Sequence, residues 1–264
     1  MAARLLTERR DGTLVLTFSN PGFRNALGPE IYEPAMQAFA DVEQDASIRA
    51  VVLTGADGTF CAGGNLNRLL ENRARPPQVQ ADSIDALNRM TRAIVRCTRP
   101  VIAAVEGAAA GAGMSLALAC DLITAGHGAK FVMAYVKVGL SPDGGGSWFA
   151  SRALPKQAAT ELMLEGGAWP ASRLHALGVV NALVDDGEAL DAALDHARRI
   201  AALSPHAVGR IKKLIANAAD ATLEQQFIQE RESFVACLHH EDGGEAIAAF
   251  LEKRPAHFEP TTDP

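Results

Sequence analysis

The segment AKFVMAYVKVGLSPDGGGS, residues 129–147, is the most informative part of this chain for both architecture and chemistry. Its first half is an apolar run typical of a strand, and its second half is a turn in which Pro142 and Asp143 precede three glycines. A carboxylate held at such a turn against apolar residues stays partly protonated near neutral pH, because burial disfavours its charged form. That property suits a group that carries protons to and from carbon. An aspartate before glycines is also an ordinary helix N-cap, so the turn alone leaves two interpretations open.

Two glycine-rich segments lie upstream, and each follows an apolar run typical of a buried parallel strand. The first is FCAGGNL (60–66), after IRAVVLT (48–54), and the second is EGAAAGAG (106–113), after VIAAV (101–105). Their small residues let a ligand approach backbone N–H groups, and the second segment opens a helix whose first N–H groups are free. Two such donors on one carbonyl oxygen would stabilise an enolate. Each loop alone favours the simpler role of tight turns and close helix–sheet packing.

Strands alternate with helices as far as about residue 150, and the rest of the chain is nearly all helical. This order predicts an α/β core followed by a C-terminal helical region. Strands are predicted at residues 13–18, 48–54, 101–105, 122–125, 131–136 and 179–184. Helices are predicted at residues 30–43, 82–95, 112–119, 156–165, 171–177, 189–202, 205–219, 223–238 and 244–252. Residues 67–80, which carry arginines and two adjacent prolines, are predicted to form a mobile excursion.

Composition excludes several classes of protein. A net charge of −6 over 264 residues argues against a nucleic-acid surface, which needs a basic face. The four cysteines have no paired spacing and the seven histidines form no ligand motif, so we expect reduced thiols, a cytoplasmic location and no metal. Because the N-terminus is charged, we do not expect it to be a signal peptide. The longest uncharged run, residues 107–120, is shorter than the roughly 18 residues of a membrane span, so no membrane partner is expected.

Three familiar motifs fail. GAGMSL (111–116) begins a dinucleotide fingerprint but ends in leucine where the third glycine belongs. GLSPDGG (139–145) has Gly145 where a phosphate loop requires lysine. GMSLA (113–117) is close to a nucleophile elbow, but Ser115 lies well beyond the strand-to-helix turn that the elbow requires.

Five segments together, in one order, resemble the enoyl-CoA hydratase/isomerase (crotonase) superfamily, and most closely its isomerase branch. They are FSNPGFRNAL (18–27), VVLTGADGTFCAGGNL (51–66), VIAAVEGAAAGAGMSLALACDL (101–122), AKFVMAYVKVGLSPDGGGSW (129–148) and EAIAAFLEKR (245–254). The resemblance covers residues 5–254 and implies an α/β crotonase-like fold of repeated ββα units. It divides the chain into a core with the acyl-CoA site, residues 1–200, and a C-terminal helical region for trimerisation and site closure, residues 201–264.

The resemblance implies a coenzyme A thioester as substrate, so coenzyme A enters as part of the substrate and no separate cofactor is expected. Its carbonyl oxygen would be held by the backbone N–H groups of Gly64 and Ala112. Arg24 is placed to meet a phosphate of coenzyme A. Asn65 stands where many relatives have aspartate, and we assign it a structural role in its loop. The residues expected to line the substrate are Phe23, Arg24, Ala26, Ala62, Asn65, Leu66, Ser115 and Tyr135.

Two C-terminal residues, Phe250 and Lys253, match a helix that often closes the site of a neighbouring subunit. The resemblance therefore implies a homotrimer or a dimer of trimers.

The departures from the family pattern concern the catalytic acids. Hydratases of this family use two glutamates, which would fall at Ser115 and Tyr135, and neither residue is acidic. Adding water needs a base for the water and an acid for the carbon, whereas moving a double bond needs one group that takes and returns a proton. In the isomerase branch the aspartate at the position of Asp143 is that catalytic acid/base.

The leading hypothesis is thus an isomerase that moves a double bond or opens a ring epoxide. An enoyl-CoA hydratase of the β-oxidation type is the first alternative. A dehalogenase-like enzyme with Asp143 as nucleophile is a second, although residues 82–95 lack the histidine that such enzymes carry there. A non-catalytic protein that binds acyl-CoA or RNA is a third, and the acidic charge argues against RNA.

Overall fold

The computed structural model describes residues 3–258, which form two β-sheets and eleven α-helices. The strands are β1 (Arg4–Arg10), β2 (Thr13–Ser19), β3 (Ala50–Gly55), β4 (Val101–Val105), β5 (Ala108–Ala110), β6 (Leu122–Gly126), β7 (Lys130–Val132), β8 (Ala168–Pro170) and β9 (Ala182–Val184). The main sheet has the order β1-β2-β3-β4-β6-β9, with β1 antiparallel to β2 and all other neighbours parallel. The second sheet has the order β5-β7-β8.

The helices fill the connections between strands and then make up most of the chain after residue 145. They are α1 (Pro29–Gln44), α2 (Leu66–Arg73), α3 (Pro77–Arg96), α4 (Ala112–Ala119), α5 (Gly146–Ala153), α6 (Lys156–Glu165), α7 (Ala171–Ala176), α8 (Ala189–Ala201), α9 (Pro205–Ala218), α10 (Leu223–His239) and α11 (Glu241–Glu252). A 3₁₀ helix spans Ala134–Val138. The predicted α/β class with a helical C-terminal region is confirmed.

The central strands β3, β4 and β6 of the main sheet are buried on both faces, which explains their apolar sequences. On one face, Val51, Leu53 and Val105 join a core formed with α1, α3 and α4. On the other face, Val52 and Ile102 pack against α8. The contacting side of α8 carries residues spaced one turn apart, Ala189, Ala193 and Ala197.

The second sheet positions the candidate site. Strand β5 pairs in parallel with β7, and an isolated bridge joins Cys61 to Ala109 of β5. The first glycine-rich loop is therefore attached to the strand that leads into the second glycine-rich loop. Since β7 precedes the Asp143 turn, this small sheet links all three segments that the sequence singled out.

Two predictions of local structure are wrong. Residues 67–80 are not a mobile excursion but contain α2 and the start of α3. The Asn65 side chain accepts hydrogen bonds from the N–H groups of Asn67 and Arg68, which caps α2, and Pro77 stands at the first position of α3. The strand predicted at 131–136 ends at Val132, and the 3₁₀ helix that follows carries Tyr135.

The C-terminal helices α9, α10 and α11 have several exposed apolar side chains. Phe250 is 84% exposed, and Ile215, Phe227 and Phe234 are also exposed. The boundary proposed at residue 200 stays a prediction. Within residues 3–258, no helix combines the length and the hydrophobicity needed to cross a membrane.

Candidate active site

Asp143 lies in a turn before α5, and its side chain does not cap that helix. The N-cap of α5 is Gly145, which has φ 84°, and no side chain donates or accepts a capping hydrogen bond there. The alternative interpretation of Asp143 as an ordinary N-cap is therefore wrong. Its backbone carbonyl, not its carboxylate, accepts the hydrogen bond from the N–H of Gly146 at 3.0 Å.

The turn is fixed by Ser115 and Tyr135, the two residues expected at the positions of the hydratase glutamates. The Tyr135 hydroxyl donates a hydrogen bond to Oδ1 of Asp143 at 2.7 Å. The Ser115 hydroxyl donates to the backbone carbonyl of Asp143 at 3.0 Å. Ser115 is fully buried in α4, whereas Tyr135 comes from the 3₁₀ helix. Both residues were expected to line the pocket, and the structure shows that both hold the aspartate.

Packing around the turn leaves little freedom. Gly144 has φ 57°, and a Cβ there would lie 3.1 Å from Cδ2 of Leu87 on α3. A Cβ on Gly146 would lie 2.5 Å from the Ser115 hydroxyl. The glycines after Asp143 are thus required by a left-handed backbone at one position and by close approach of Ser115 at the other.

The electrostatic environment suits a base. Burial raises the pKa of Asp143 above its ordinary value, and the hydrogen bond from Tyr135 lowers it in part. Burial, and after it the charge of Asp143, raises the pKa of Tyr135. The phenol therefore stays protonated and donates to a carboxyl group whose affinity for a proton exceeds that of an aspartate in water.

The two glycine-rich loops are joined backbone to backbone. The Cys61 N–H donates to the Ala108 carbonyl at 2.9 Å, and the Ala110 N–H donates to the Cys61 carbonyl at 2.8 Å. Gly63 has φ 86°, and a Cβ there would lie 3.2 Å from the backbone nitrogen of Ala112. The first loop therefore approaches the start of α4 closely at Gly63, the residue before Gly64. Gly64 and Ala112 are the two predicted oxyanion-hole residues.

Their N–H groups are available to a ligand. Ala112 is the first residue of α4, so its N–H has no partner within the helix. In the first loop, the Gly63 carbonyl accepts from the Leu27 N–H, and the Ala62 N–H donates to the Arg24 carbonyl. The N–H of Gly64 forms no backbone hydrogen bond to residues 3–258. A Cβ on Gly111 would lie 3.7 Å from the Tyr135 hydroxyl. Tyr135 therefore connects the start of α4 with Asp143.

The loop expected to bind coenzyme A is fixed by Asn25, which sequence analysis did not single out. Asn25 is buried, with φ 58°. Its Oδ1 accepts from the Asn20 N–H at 3.0 Å, and its Nδ2 donates to the carbonyls of Ala56 at 2.8 Å and Thr59 at 2.6 Å. Asparagine adopts positive φ more readily than most residues, which is the signal that could have identified it.

Arg24 lies beside a cavity of about 200 Å³ between this loop and residues 56–59. Its backbone has φ 48°, and its carbonyl accepts from the Ala62 N–H at 3.0 Å, so the loop is tied to the oxyanion segment. The Arg24 side chain is exposed. Phe23 is 47% exposed, whereas Ala26 is buried.

The remaining predicted contacts lie at the edges of this arrangement. Leu66, at the first position of α2, is 57% exposed. Phe250 is on α11 and Lys253 is its C-cap residue, with φ 56°. Their predicted contact with a neighbouring subunit stays a prediction. Among residues 3–258 there is no group of three His, Cys, Asp or Glu side chains that could hold a metal ion.

Comparison with known proteins identifies the family. A family model described as "Enoyl-CoA hydratase/isomerase" matches residues 8–261. The 1,2-epoxyphenylacetyl-CoA isomerase of Escherichia coli K12 is 35% identical over 255 residues, which are 96% of this chain and 97% of that protein. The 2,3-dehydroadipyl-CoA hydratase of the same organism is 31% identical over 97% of this chain and 98% of its own length.

Solved structures give the same result. The crystal structure of an enoyl-CoA hydratase from Polaromonas sp. JS666 superimposes with a TM-score of 0.96 at 52% identity, covering 97% of this chain and all of that one.

Proposed function

The chain belongs to the enoyl-CoA hydratase/isomerase (crotonase) family, and from that premise we propose that it is an acyl-CoA isomerase with Asp143 as its single acid/base. The substrate would be an acyl-CoA thioester in which a double bond moves or a ring epoxide opens. One observation carries the proposal. The residues at both hydratase glutamate positions, Ser115 and Tyr135, are hydrogen-bonded to Asp143, which leaves one carboxylate to handle the proton.

The reaction follows from the arrangement of three groups. Ionised Asp143 takes a proton from C2 of a 3-enoyl thioester, and the electron pair of that C–H bond forms an enolate. The enolate oxygen accepts hydrogen bonds from the N–H groups of Gly64 and Ala112, which stabilise the developing charge. Asp143 then returns the proton to C4 as the double bond shifts to C2–C3. No group is consumed, so one carboxylate suffices.

Hydration requires more acid–base groups than these residues provide. It needs a base for water and an acid for carbon at the same time. The Tyr135 hydroxyl has a raised pKa because of burial and the nearby charge of Asp143, so it does not supply a base near neutral pH. Relatives with hydratase names nevertheless match the chain at 31–34% identity, so hydratase activity is the alternative to be tested.

We also propose that coenzyme A enters only as part of the substrate, and that the chain acts as a homotrimer or a dimer of trimers. The exposed apolar side chains of α9, α10 and α11 support an assembly, because exposed apolar surface of this kind marks protein contacts. They include Ile211, Ile215, Phe227, Phe234, Phe250 and Leu251.

The experiment that tests the function offers the protein three thioesters: a 3-enoyl-CoA, a 2-enoyl-CoA and 1,2-epoxyphenylacetyl-CoA. Products are identified by mass and ultraviolet spectrum. Isomerisation leaves the mass unchanged, whereas hydration adds one water. We expect conversion of the 3-enoyl-CoA at unchanged mass, and slow water addition to the 2-enoyl-CoA. Water addition at comparable turnover would favour the hydratase, and binding of all three without conversion would favour the non-catalytic alternative.

A further inference from the structure

A second phenol, that of Tyr32, lies close to the candidate site without a partner. Tyr32 is in the first turn of α1 and is only 6% exposed. Its hydroxyl forms no hydrogen bond to any of residues 3–258. The unpartnered hydroxyls of Thr13 and Thr124 are fully enclosed by protein atoms, whereas the Tyr32 hydroxyl is not. A buried tyrosine hydroxyl normally finds a partner, so one facing open space is available to a ligand.

The position of Tyr32 is set by elements on both sides of the site. Leu27, just before α1, donates its N–H to the carbonyl of Gly63 at 2.7 Å, next to the oxyanion-hole residue Gly64. Helix α1 also packs against α3, whose Leu87 side chain lies beside Gly144, where an added Cβ would be 3.1 Å from Leu87 Cδ2. Tyr32 shares one hydrophobic core with Cys61 and Leu87. It therefore lies between the oxyanion loop and the aspartate turn.

The charges around Tyr32 restrict what it can bind. Burial raises the pKa of the phenol, and the charge of Asp143 raises it further, so the hydroxyl stays protonated at neutral pH. Arg68, the cation that acts on the phenol, already faces Glu30 at 3.9 Å. A substrate carboxylate at Tyr32 would be repelled by Asp143 and Glu30, and the nearby cation, Arg68, is already shared with Glu30. An uncharged oxygen would meet a donor without a competing partner.

We propose that Tyr32 determines specificity by donating a hydrogen bond to an uncharged oxygen of the acyl group, such as an epoxide, ether or hydroxyl oxygen, beyond the thioester carbonyl. The inference rests on the proposed isomerase function and names its substrate class as oxygenated acyl-CoA. The chain has two tyrosines, and Tyr135 is committed to Asp143. A plain alkyl substrate would leave the Tyr32 hydroxyl unpaired, and sites built to hydrogen-bond a polar group discriminate against analogues that lack it.

The test is Tyr32→Phe, which keeps the ring and removes the hydroxyl. kcat/KM is measured with 1,2-epoxyphenylacetyl-CoA and with 3-hexenoyl-CoA. We expect the variant to lose about fivefold to tenfold on the epoxide, the range of one hydrogen bond between neutral groups, and to keep its rate on the alkyl substrate. The matched control is Tyr135→Phe, which should lower both rates by the same factor because it acts through Asp143. Thermal unfolding of each variant checks that the fold is retained.

Two outcomes distinguish failure of the specificity proposal from failure of the proposed function. If Tyr32→Phe lowers both rates equally, Tyr32 acts through packing or through Asp143, and the specificity proposal is overturned. If the wild type converts neither thioester, the proposed function fails, and the specificity proposal is then decided by binding. Calorimetric affinities that fall for the epoxide alone in Tyr32→Phe would still support it, whereas unchanged affinities for both thioesters would overturn it.

Discussion

The turn that carries Asp143 and the loop that carries Arg24 differ in which part is held in place, the side chain or the backbone. At the first, the functional side chain itself is fixed, since Tyr135 holds the carboxylate and Ser115 holds the backbone beneath it. At the second, the backbone is fixed by buried Asn25, while the Arg24 side chain extends into solvent. The proposed proton transfer requires a carboxylate oxygen that is held in place. The proposed phosphate contact requires only that the backbone carrying the guanidinium is held in place. The difference predicts that the two regions fail in different ways when mutated.

Asp143→Asn should give the largest effect, because it removes the proposed acid/base and keeps its shape. We expect isomerisation to fall by at least about 10²-fold, the usual scale for a general acid–base group, with thioester binding retained. Steady-state kinetics and calorimetric binding measure the two quantities. The control is Asp11→Asn in the β1–β2 turn, where φ is 45° and asparagine is tolerated. A near wild-type rate in Asp143→Asn would remove Asp143 from the mechanism.

Asn25→Ala should damage the second region through its backbone. The variant loses three hydrogen bonds and leaves the Asn20 N–H and two carbonyls without their partner. We expect the free energy of unfolding to fall by about 3 kcal/mol, and KM for acyl-CoA to rise because the loop is no longer fixed. Asn25→Gly separates the causes, since glycine adopts the positive φ but makes none of the bonds. If Asn25→Gly is as stable as the wild type, the hydrogen bonds do not hold the loop.

Arg24→Ala should affect binding without the loss of stability. The guanidinium is expected at a phosphate remote from the reacting carbons, so KM rises while kcat is nearly unchanged. A charge-assisted contact is worth about 1.5–3 kcal/mol, roughly tenfold to a hundredfold in KM, and less where solvent screens it. Arg199→Ala, an exposed change on α8, is the control. An unchanged KM at low ionic strength would mean that Arg24 is an ordinary surface residue, and a fall in kcat alone would contradict the assignment of the loop.

The elements predicted best are those with a strong local pattern. Helix α4 was predicted at residues 112–119, where the structure places it, because a short run of small apolar residues follows a glycine turn. Strand β1 is not predicted because RLLTERR has mostly exposed side chains, and within residues 3–258 it pairs only with β2, at the edge of the sheet. Helix α2 is not predicted although Asn65 is a recognisable N-cap, because residues 67–80 also carry arginines and two adjacent prolines, which indicate a loop.

The residues of the candidate site also fall into two groups, those that sequence motifs identify and those that only the tertiary structure reveals. Asp143, Gly64 and Ala112 stand in motifs and could be named from the sequence. The hydrogen bond from Tyr135 to Asp143 could not, because it depends on β7 ending at Val132 and giving way to a 3₁₀ helix. The unpartnered hydroxyl of Tyr32 was also beyond reach. Tyr32 shows helical spacing like any core residue, and only tertiary packing reveals that its hydroxyl has no partner in the described part of the chain, residues 3–258.

Tyr135→Phe should give the smallest effect and the most specific one, since it tests whether the aspartate is held by a side chain. The hydrogen bond from Tyr135 lowers the pKa of Asp143 against the stronger effect of burial, so removing it should raise that pKa further. In the proposed mechanism ionised Asp143 is the active form. Activity should therefore be lost as pH falls through this pKa, and the acid limb of kcat/KM should move to higher pH. Above that limb the rate should fall by less than about tenfold, as expected for one hydrogen bond in a partly hydrated site.

Tyr32→Phe is the comparison: it removes a phenol that makes no bond to Asp143 and should leave the limb nearly in place. An acid limb that stays in place in Tyr135→Phe, or moves to lower pH, would show that the carboxylate is not controlled by this hydrogen bond, and the contrast between the two regions would be lost.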